Sequence, residues 1–255
     1  MEIRPPYGYR DIVPLGRNHR VVLPPPRSMP AELRPLTALP LSFTEFSPAC
    51  RDYPIAFVST DARKTYVAMI ITGLVARDNL FLLGDGTWDP AAYVPAYVRR
   101  YPFCMTRVAL DGREQSERIA CVEKHALGEA GAALYDSQGE PLAHWEERRK
   151  LLFEFEADLM CSEEMSHKLA ALDLFEEFAL QAVPHQGEPV ALTGMYRVSE
   201  AKLNDLPEPP FKELGRTGIL ARVYAHLISL ANFGRLLDRR AARAAFATAA
   251  PAASA

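Results

Sequence analysis

The residues with the most chemical capacity in this 255-residue chain are an adjacent pair, Arg99 and Arg100, with Tyr97 and Tyr101 on either side. A guanidinium is a planar fork of donors that matches a carboxylate or another oxyanion two bonds at a time. Exposed together with tyrosine, it is also a common interface anchor. A weaker copy lies upstream as Arg51 and Tyr53. A second group, His226, Ser229 and Asn232, repeats at three-residue spacing, which sets an imidazole, a hydroxyl and an amide beside an apolar helical stripe. Buried, these three need hydrogen-bond partners. They either anchor a helix on a sheet with their bonds satisfied, or face the Arg99–Arg100 segment across a cleft. Together these residues form the candidate ligand- or partner-binding set.

Other chemistries find less support. Glu163 and His167 stand four apart on a helix but lack a further ligand at metal spacing, so no metal is expected. There is no Gly-x-Ser-x-Gly elbow for a nucleophile. Gly84-Asp85-Gly86 lacks the third glycine of a phosphate loop and reads as a turn. Catalytic residues stay unassigned and no cofactor is expected. Thr193-Gly194, inside an apolar strand, predicts a bulge or a close backbone approach.

The elements that position these residues follow from prolines and periodicity. Pro95 suits the first turn of a short helix, and Pro102 pushes Tyr101 toward extended geometry, so that helix ends near Arg100. Phe103–Leu110 and Arg118–Glu123 then form a hairpin with Asp111-Gly112 at its turn. Phe46-Ser47-Pro48-Ala49 before Arg51-Asp52-Tyr53-Pro54-Ile55 rhymes with Tyr93-Val94-Pro95-Ala96 before Arg99-Arg100-Tyr101-Pro102-Phe103. This is either a pseudo-repeat or a chance match of short motifs. Tyr66–Leu74 and Leu80–Leu83 predict a hairpin around Arg77-Asp78-Asn79. Pro141 opens a long helical region to about Phe178, with a break plausible at Ser162-Glu163-Glu164. Its Glu146, Arg148, Arg149 and Lys150 read as a solvated face. Ala179–Val183 and Pro189–Val198 form a third hairpin, turning at Pro184-His185-Gln186-Gly187. Thr217–Arg240 is one amphipathic helix, apolar on two sides.

The chain is 49% hydrophobic and 24% charged, an ordinary globular composition. Residues 1–40 are a proline-rich arm expected to run extended over the surface, residues 41–240 a single α+β domain, and residues 241–255 an alanine-rich disordered tail. Antiparallel hairpins pack with the long central helical region and the C-terminal helix. A net charge of −3 gives no reason to expect nucleic-acid binding. The four scattered cysteines read as reduced thiols. MEIRPPYGYR shows no signal pattern, and no apolar run approaches the ~20 residues of a membrane span, so a soluble cytoplasmic protein is expected, with export by a dedicated route left open.

Several pieces in order resemble the SapC family, named for a protein of bacterial surface layers. They are Leu41 with Glu45-Phe46 and Arg51-Asp52-Tyr53-Pro54-Ile55; Tyr93-Val94-Pro95 with Arg99-Arg100-Tyr101-Pro102-Phe103; Leu192-Thr193-Gly194-Met195-Tyr196-Arg197-Val198 with Lys202-Leu203; and His226-Leu227-Ile228-Ser229-Leu230 with Asn232-Phe233. The resemblance carries over no catalytic residue and no cofactor. It implies an accessory role in nutrient uptake or modification, because relatives are found beside outer-membrane receptor, halogenase-like and cupin-like proteins. A permease shares the short name, and the absence of a spanning segment separates this chain from it.

The expectation is therefore a SapC-like accessory or binding protein for a small anionic or peptide-like ligand or a partner protein, with a second copy of the chain, through the C-terminal helix, as one candidate. An enzyme with a site near His226, Ser229 and Arg99, or a surface-layer component, are the alternatives.

Overall fold

The computed structural model describes residues 2–59, 65–110, 113–182 and 189–249. In chain order the regular elements are β1 (Glu2–Ile3), β2 (Ile12–Pro14), β3 (Arg20–Val21), β4 (Ala38–Pro40), α1 (Phe46–Ala49), β5 (Ile55–Ser59), β6 (Tyr66–Ile71), α2 (Ala96–Arg99), β7 (Phe103–Leu110), β8 (Arg113–Glu123), β9 (Ala132–Ala133), α3 (Ala143–Ala171), β10 (Phe175–Ala182), β11 (Val190–Val198), α4 (Glu200–Asn204), α5 (Glu208–Arg216), α6 (Ile219–Ser229) and α7 (Asn232–Ala249). The fold is α+β, with antiparallel sheets, a long helix and a C-terminal helix. Among the described residues no helix is long and apolar enough to cross a membrane. The chain forms two compact units: Met1–Pro35, Leu82–Pro90 and Val94–Asp158 make the first; Leu36–Phe81, Ala91–Tyr93 and Leu159–Ala255 the second.

In the first unit, β7 and β8 form the central hairpin of a four-stranded sheet, order β1-β7-β8-β2. The Asp111-Gly112 turn assigned to this hairpin lies outside the described residues. Ile3 pairs with Val108, and Val13 with Val122. The proline-rich N-terminal segment is thus built into the sheet, as short edge strands between prolines; Pro14 sits on an edge, where its missing N–H costs no ladder bond. Val21, Phe103, Val122, Ala126, Leu134, Trp145 and Leu152 make the core. The Phe103 and Trp145 rings lie 4.7 Å apart. Gly131 passes so close to β3 that a Cβ would sit 2.5 Å from the Val21 carbonyl carbon, and this lets β9 reach β3.

In the second unit, five antiparallel strands run in the order β10-β11-β5-β6-β4. Phe57 and Phe175 (4.8 Å) and Tyr66 and Phe175 (4.2 Å) stack across the sheet. β6 pairs with β5 and β4, whereas Leu80–Leu83 forms no strand. The turn at Arg77–Asn79 does form, with Arg77 at φ 66, but Thr72 and Gly73 give their N–H groups to Thr37, which closes that edge to a further strand.

Four features of the helices differ from the periodicity. α3 runs unbroken for 29 residues; Ser162 stays inside it and donates to the Leu41 carbonyl at 3.2 Å. Asp173, at φ 52, ends the helix, and Leu174 N–H returns to the Leu169 carbonyl, so Phe175 opens a strand. The expected 217–240 helix is divided at Leu230–Ala231 into α6 and α7. There Ser229 Oγ donates to the His226 carbonyl at 2.6 Å, a local bond that competes with the helical ladder. α7 continues to Ala249, into the segment read as a tail. The Pro184–Gly187 turn and residues 250–255 lie outside the described residues.

Candidate functional site

α2 is a single turn, and its two arginines follow from that geometry. Pro95, extended at φ −61 and ψ 145, stands at its N-cap, and Arg100 caps its C-terminus with an N–H to the Ala96 carbonyl. Successive helical residues point about 100° apart, so one arginine enters the protein and the other leaves it. Arg100 is 3% exposed, whereas Arg99 is exposed to solvent.

Arg100 is buried in the first unit. Its Nη1 donates to Glu156 Oε1 at 3.0 Å, and Arg118 holds the other carboxylate oxygen. Its guanidinium carbon stacks 4.2 Å from the Tyr97 ring centre, 4.7 Å from Phe155 and 5.4 Å from Tyr9. A delocalised planar cation suits a place among three rings and a carboxylate. Burial pushes the Tyr97 hydroxyl up to about 12, so it remains a donor, to the Tyr7 carbonyl. The Arg100–Glu156–Arg118 triad fixes α2 from beneath.

Tyr101 is also buried, and its hydroxyl donates to Glu32 Oε2 at 3.1 Å and lies 3.0 Å from His125 Nε2. Burial, then the charges of Glu32 and Glu123, hold that hydroxyl well above the usual tyrosine range. His125 Nδ1 stands 3.7 Å from Glu123, whose buried carboxylate accepts the Arg10 and Asp11 N–H groups at 2.8 and 3.3 Å. This cluster ties the N-terminal segment to the end of β8. Periodicity and motif spacing do not reveal it, since Glu32 and Tyr101 lie far in the chain from Glu123 and His125.

Above α2 lies a pocket of about 140 Å³ lined by Pro24, Pro25, Pro26, Arg27, Ser28, Val94, Val98, Arg99 and Arg148. Three guanidinium-bearing side chains therefore share one small space. Arg99 Nε donates to the Val94 carbonyl at 3.0 Å, and Arg27 Nη2 to the Asp89 carbonyl at 2.7 Å, so both are braced by backbone. Arg27 holds a left-handed backbone, φ 60, a conformation that costs about 1–2 kcal/mol outside glycine. Trp88 N–H to the Arg27 carbonyl and the Ser28–Thr87 bridge keep it there. The adjoining turn needs Gly86, at φ 82, where a Cβ would meet the Arg34 guanidinium at 2.4 Å. Arg148, from α3, is half-buried and takes part in no hydrogen bond or ion pair among the described residues. Burial pushes against its charge, and the adjacent Glu147 offsets part of this. Arg27 and Arg148 were not singled out by sequence, because Arg148 falls on a charged helix face.

In the second unit His226, Ser229 and Asn232 serve the backbone around β5. Val198 N–H donates to His226 Nε2 at 3.1 Å, and Nδ1 donates to the Ile55 carbonyl at 2.8 Å. Both bonds form together only in the neutral tautomer with the proton on Nδ1. Burial lowers the His226 pKa to about 4. Ser229 Oγ accepts the Ile55 N–H at 2.8 Å. Asn232 Nδ2 donates to the Cys50 and Tyr53 carbonyls at 2.8 and 3.1 Å. His226 and Ser229 are fully buried. The upstream copy repeats the order of short helix, Tyr-Pro and hairpin: Arg51 is exposed, and Tyr53 is buried with its hydroxyl on the Tyr93 carbonyl. Among the described residues no three His, Cys, Asp or Glu side chains could hold a metal ion together; Glu163 and His167 are exposed.

No curated protein and no solved structure matches the chain. The SapC family model does, over residues 18–236, a span that includes α2, the pocket residues and the His226–Asn232 segment. This chain belongs to the SapC family.

Proposed function

We propose that this SapC-family chain is an accessory binding protein that captures a small anionic ligand in the pocket beside α2. The observation that carries this is the gathering of Arg27, Arg99 and Arg148 on one pocket, with Arg148 half-buried and in no ion pair among the described residues. A partly desolvated cation whose charge only the neighbouring Glu147 offsets is costly, and a bound anion relieves that cost at Arg148. Arg99 is the ligand contact at the arginine corner, and Arg100, with Tyr97 and Tyr101, is the support that holds it in place. The accessory role in nutrient uptake that the family resemblance implies accords with a small-ligand binder.

The test is calorimetric titration with phosphate, sulfate, acetate and butyrate, in the wild-type chain and in Arg99→Ala with Arg148→Ala. Saturable binding of at least one anion, lost in the double variant at unchanged thermal stability, is the expected result. Equal binding by the double variant would remove the pocket from the function.

A further inference from the structure

Resting on the anion-pocket reading, the chemistry of the remaining lining residues narrows the ligand. We infer that the pocket takes a short amphiphilic carboxylate, with its head on the guanidinium groups of Arg99 and Arg148 and its carbon chain along Pro24–Pro26, Val94 and Val98.

Phosphate sites are commonly built from converging backbone N–H groups in addition to cations. Pro24, Pro25 and Pro26 have no N–H to offer. The Ser28 N–H is already given to the Pro25 carbonyl at 3.0 Å, so it is not free to meet a phosphate oxygen. The side chains that Pro24, Pro25, Pro26, Val94 and Val98 bring to the lining are all apolar. A carboxylate needs donors on one edge only, where two oxygens meet a planar fork, and leaves the rest of the molecule free to be apolar. The pocket, about 140 Å³, matches the size of a cavity that holds one benzene-sized molecule. That excludes a nucleotide or a flavin inside it and suits roughly six non-hydrogen atoms, the size of butyrate.

The probes are acetate, butyrate, inorganic phosphate and n-butylamine, titrated by calorimetry into the full chain, Arg148→Leu and Pro25→Ser. Butyrate is expected to bind about tenfold more tightly than acetate for its two added methylenes, with butylamine not binding. Arg148→Leu should weaken both acids at least tenfold, while keeping the apolar packing of the arginine stem. Pro25→Ser should reduce the preference for butyrate over acetate and leave acetate unchanged. Phosphate binding as tight as butyrate, with no chain-length preference, would overturn the carboxylate class and leave the anion pocket standing. Binding of butylamine as tight as butyrate would overturn it also. Absence of binding by all the acids and phosphate would overturn both.

Discussion

Arg99 and Arg100 are consecutive residues in opposite surroundings: the Arg100 guanidinium is buried 3.0 Å from the Glu156 carboxylate, and Arg99 is exposed on a pocket shared with Arg148. One turn of helix, entered at Pro95 and ended before Pro102, produces this division. The buried arginine is paired inside the first unit, and the exposed one lines the pocket with its Nε on the Val94 carbonyl.

The buried half makes a stability prediction. Glu156→Ala leaves Arg100 a buried, unpaired cation and should cost about 3–5 kcal/mol. Replacing both partners together, Arg100→Met with Glu156→Leu, should cost far less, because two desolvated charges are removed with their attraction. Urea denaturation of Arg100→Met, Glu156→Leu and the double variant measures the coupling. Additive losses would show that the pair is not coupled.

His226 makes a pH prediction. Its folded pKa of about 4 lies below the ordinary 6.5, so the unfolded chain takes up the proton first as pH falls. Stability from this residue is full above pH ~6.5, declines between ~6.5 and ~4, and is constant below; the loss is about 3 kcal/mol. Protonation would also set an Nε2–H against the Val198 N–H that donates to it. Denaturant midpoints across that window, compared with His226→Gln, test this; an equal slope in both proteins would assign the loss elsewhere.

Ser229→Ala removes the acceptor of the buried Ile55 N–H, whose bond is 2.8 Å. The expected cost is about 1–3 kcal/mol. Because this hydroxyl serves the backbone of β5, anion titrations should give the wild-type affinity in the variant, and a change in affinity would contradict that role.

Gly194 stands at φ 72 where two residues of β11, Thr193 and Gly194, oppose one residue of β10. Gly194→Ala meets no neighbouring atom, so its cost is conformational, about 1–2 kcal/mol. Thermal denaturation checks it; a neutral result would mean that the bulge is not held in this geometry.

How much of this was legible in the sequence depended on how local the cause was. The bulge at Thr193-Gly194, the end of α2 near Arg100 and the β7–β8 and β10–β11 hairpins follow from proline, glycine and alternation within a few residues, and the structure has them. The division of the 217–240 helix was hidden because Ser229 bonds to a carbonyl three residues back, which apolar periodicity does not reveal. The pairing of β6 with β5 and β4 was hidden because it depends on Thr37 occupying the far edge. At the candidate site, the arginine pair was visible as a pattern but its division into buried and exposed members was not, since Glu156 lies 56 residues away. Arg27 and Arg148 reach the pocket from a polyproline turn and from α3, and only the fold joins them.

The most direct measurement is a calorimetric titration of butyrate into the wild-type chain and Arg148→Leu, with thermal midpoints recorded for both. The anion-pocket account predicts saturable wild-type binding and a loss of affinity of tenfold or more in the variant, at a thermal midpoint within a few degrees. Wild-type affinity in Arg148→Leu would contradict it.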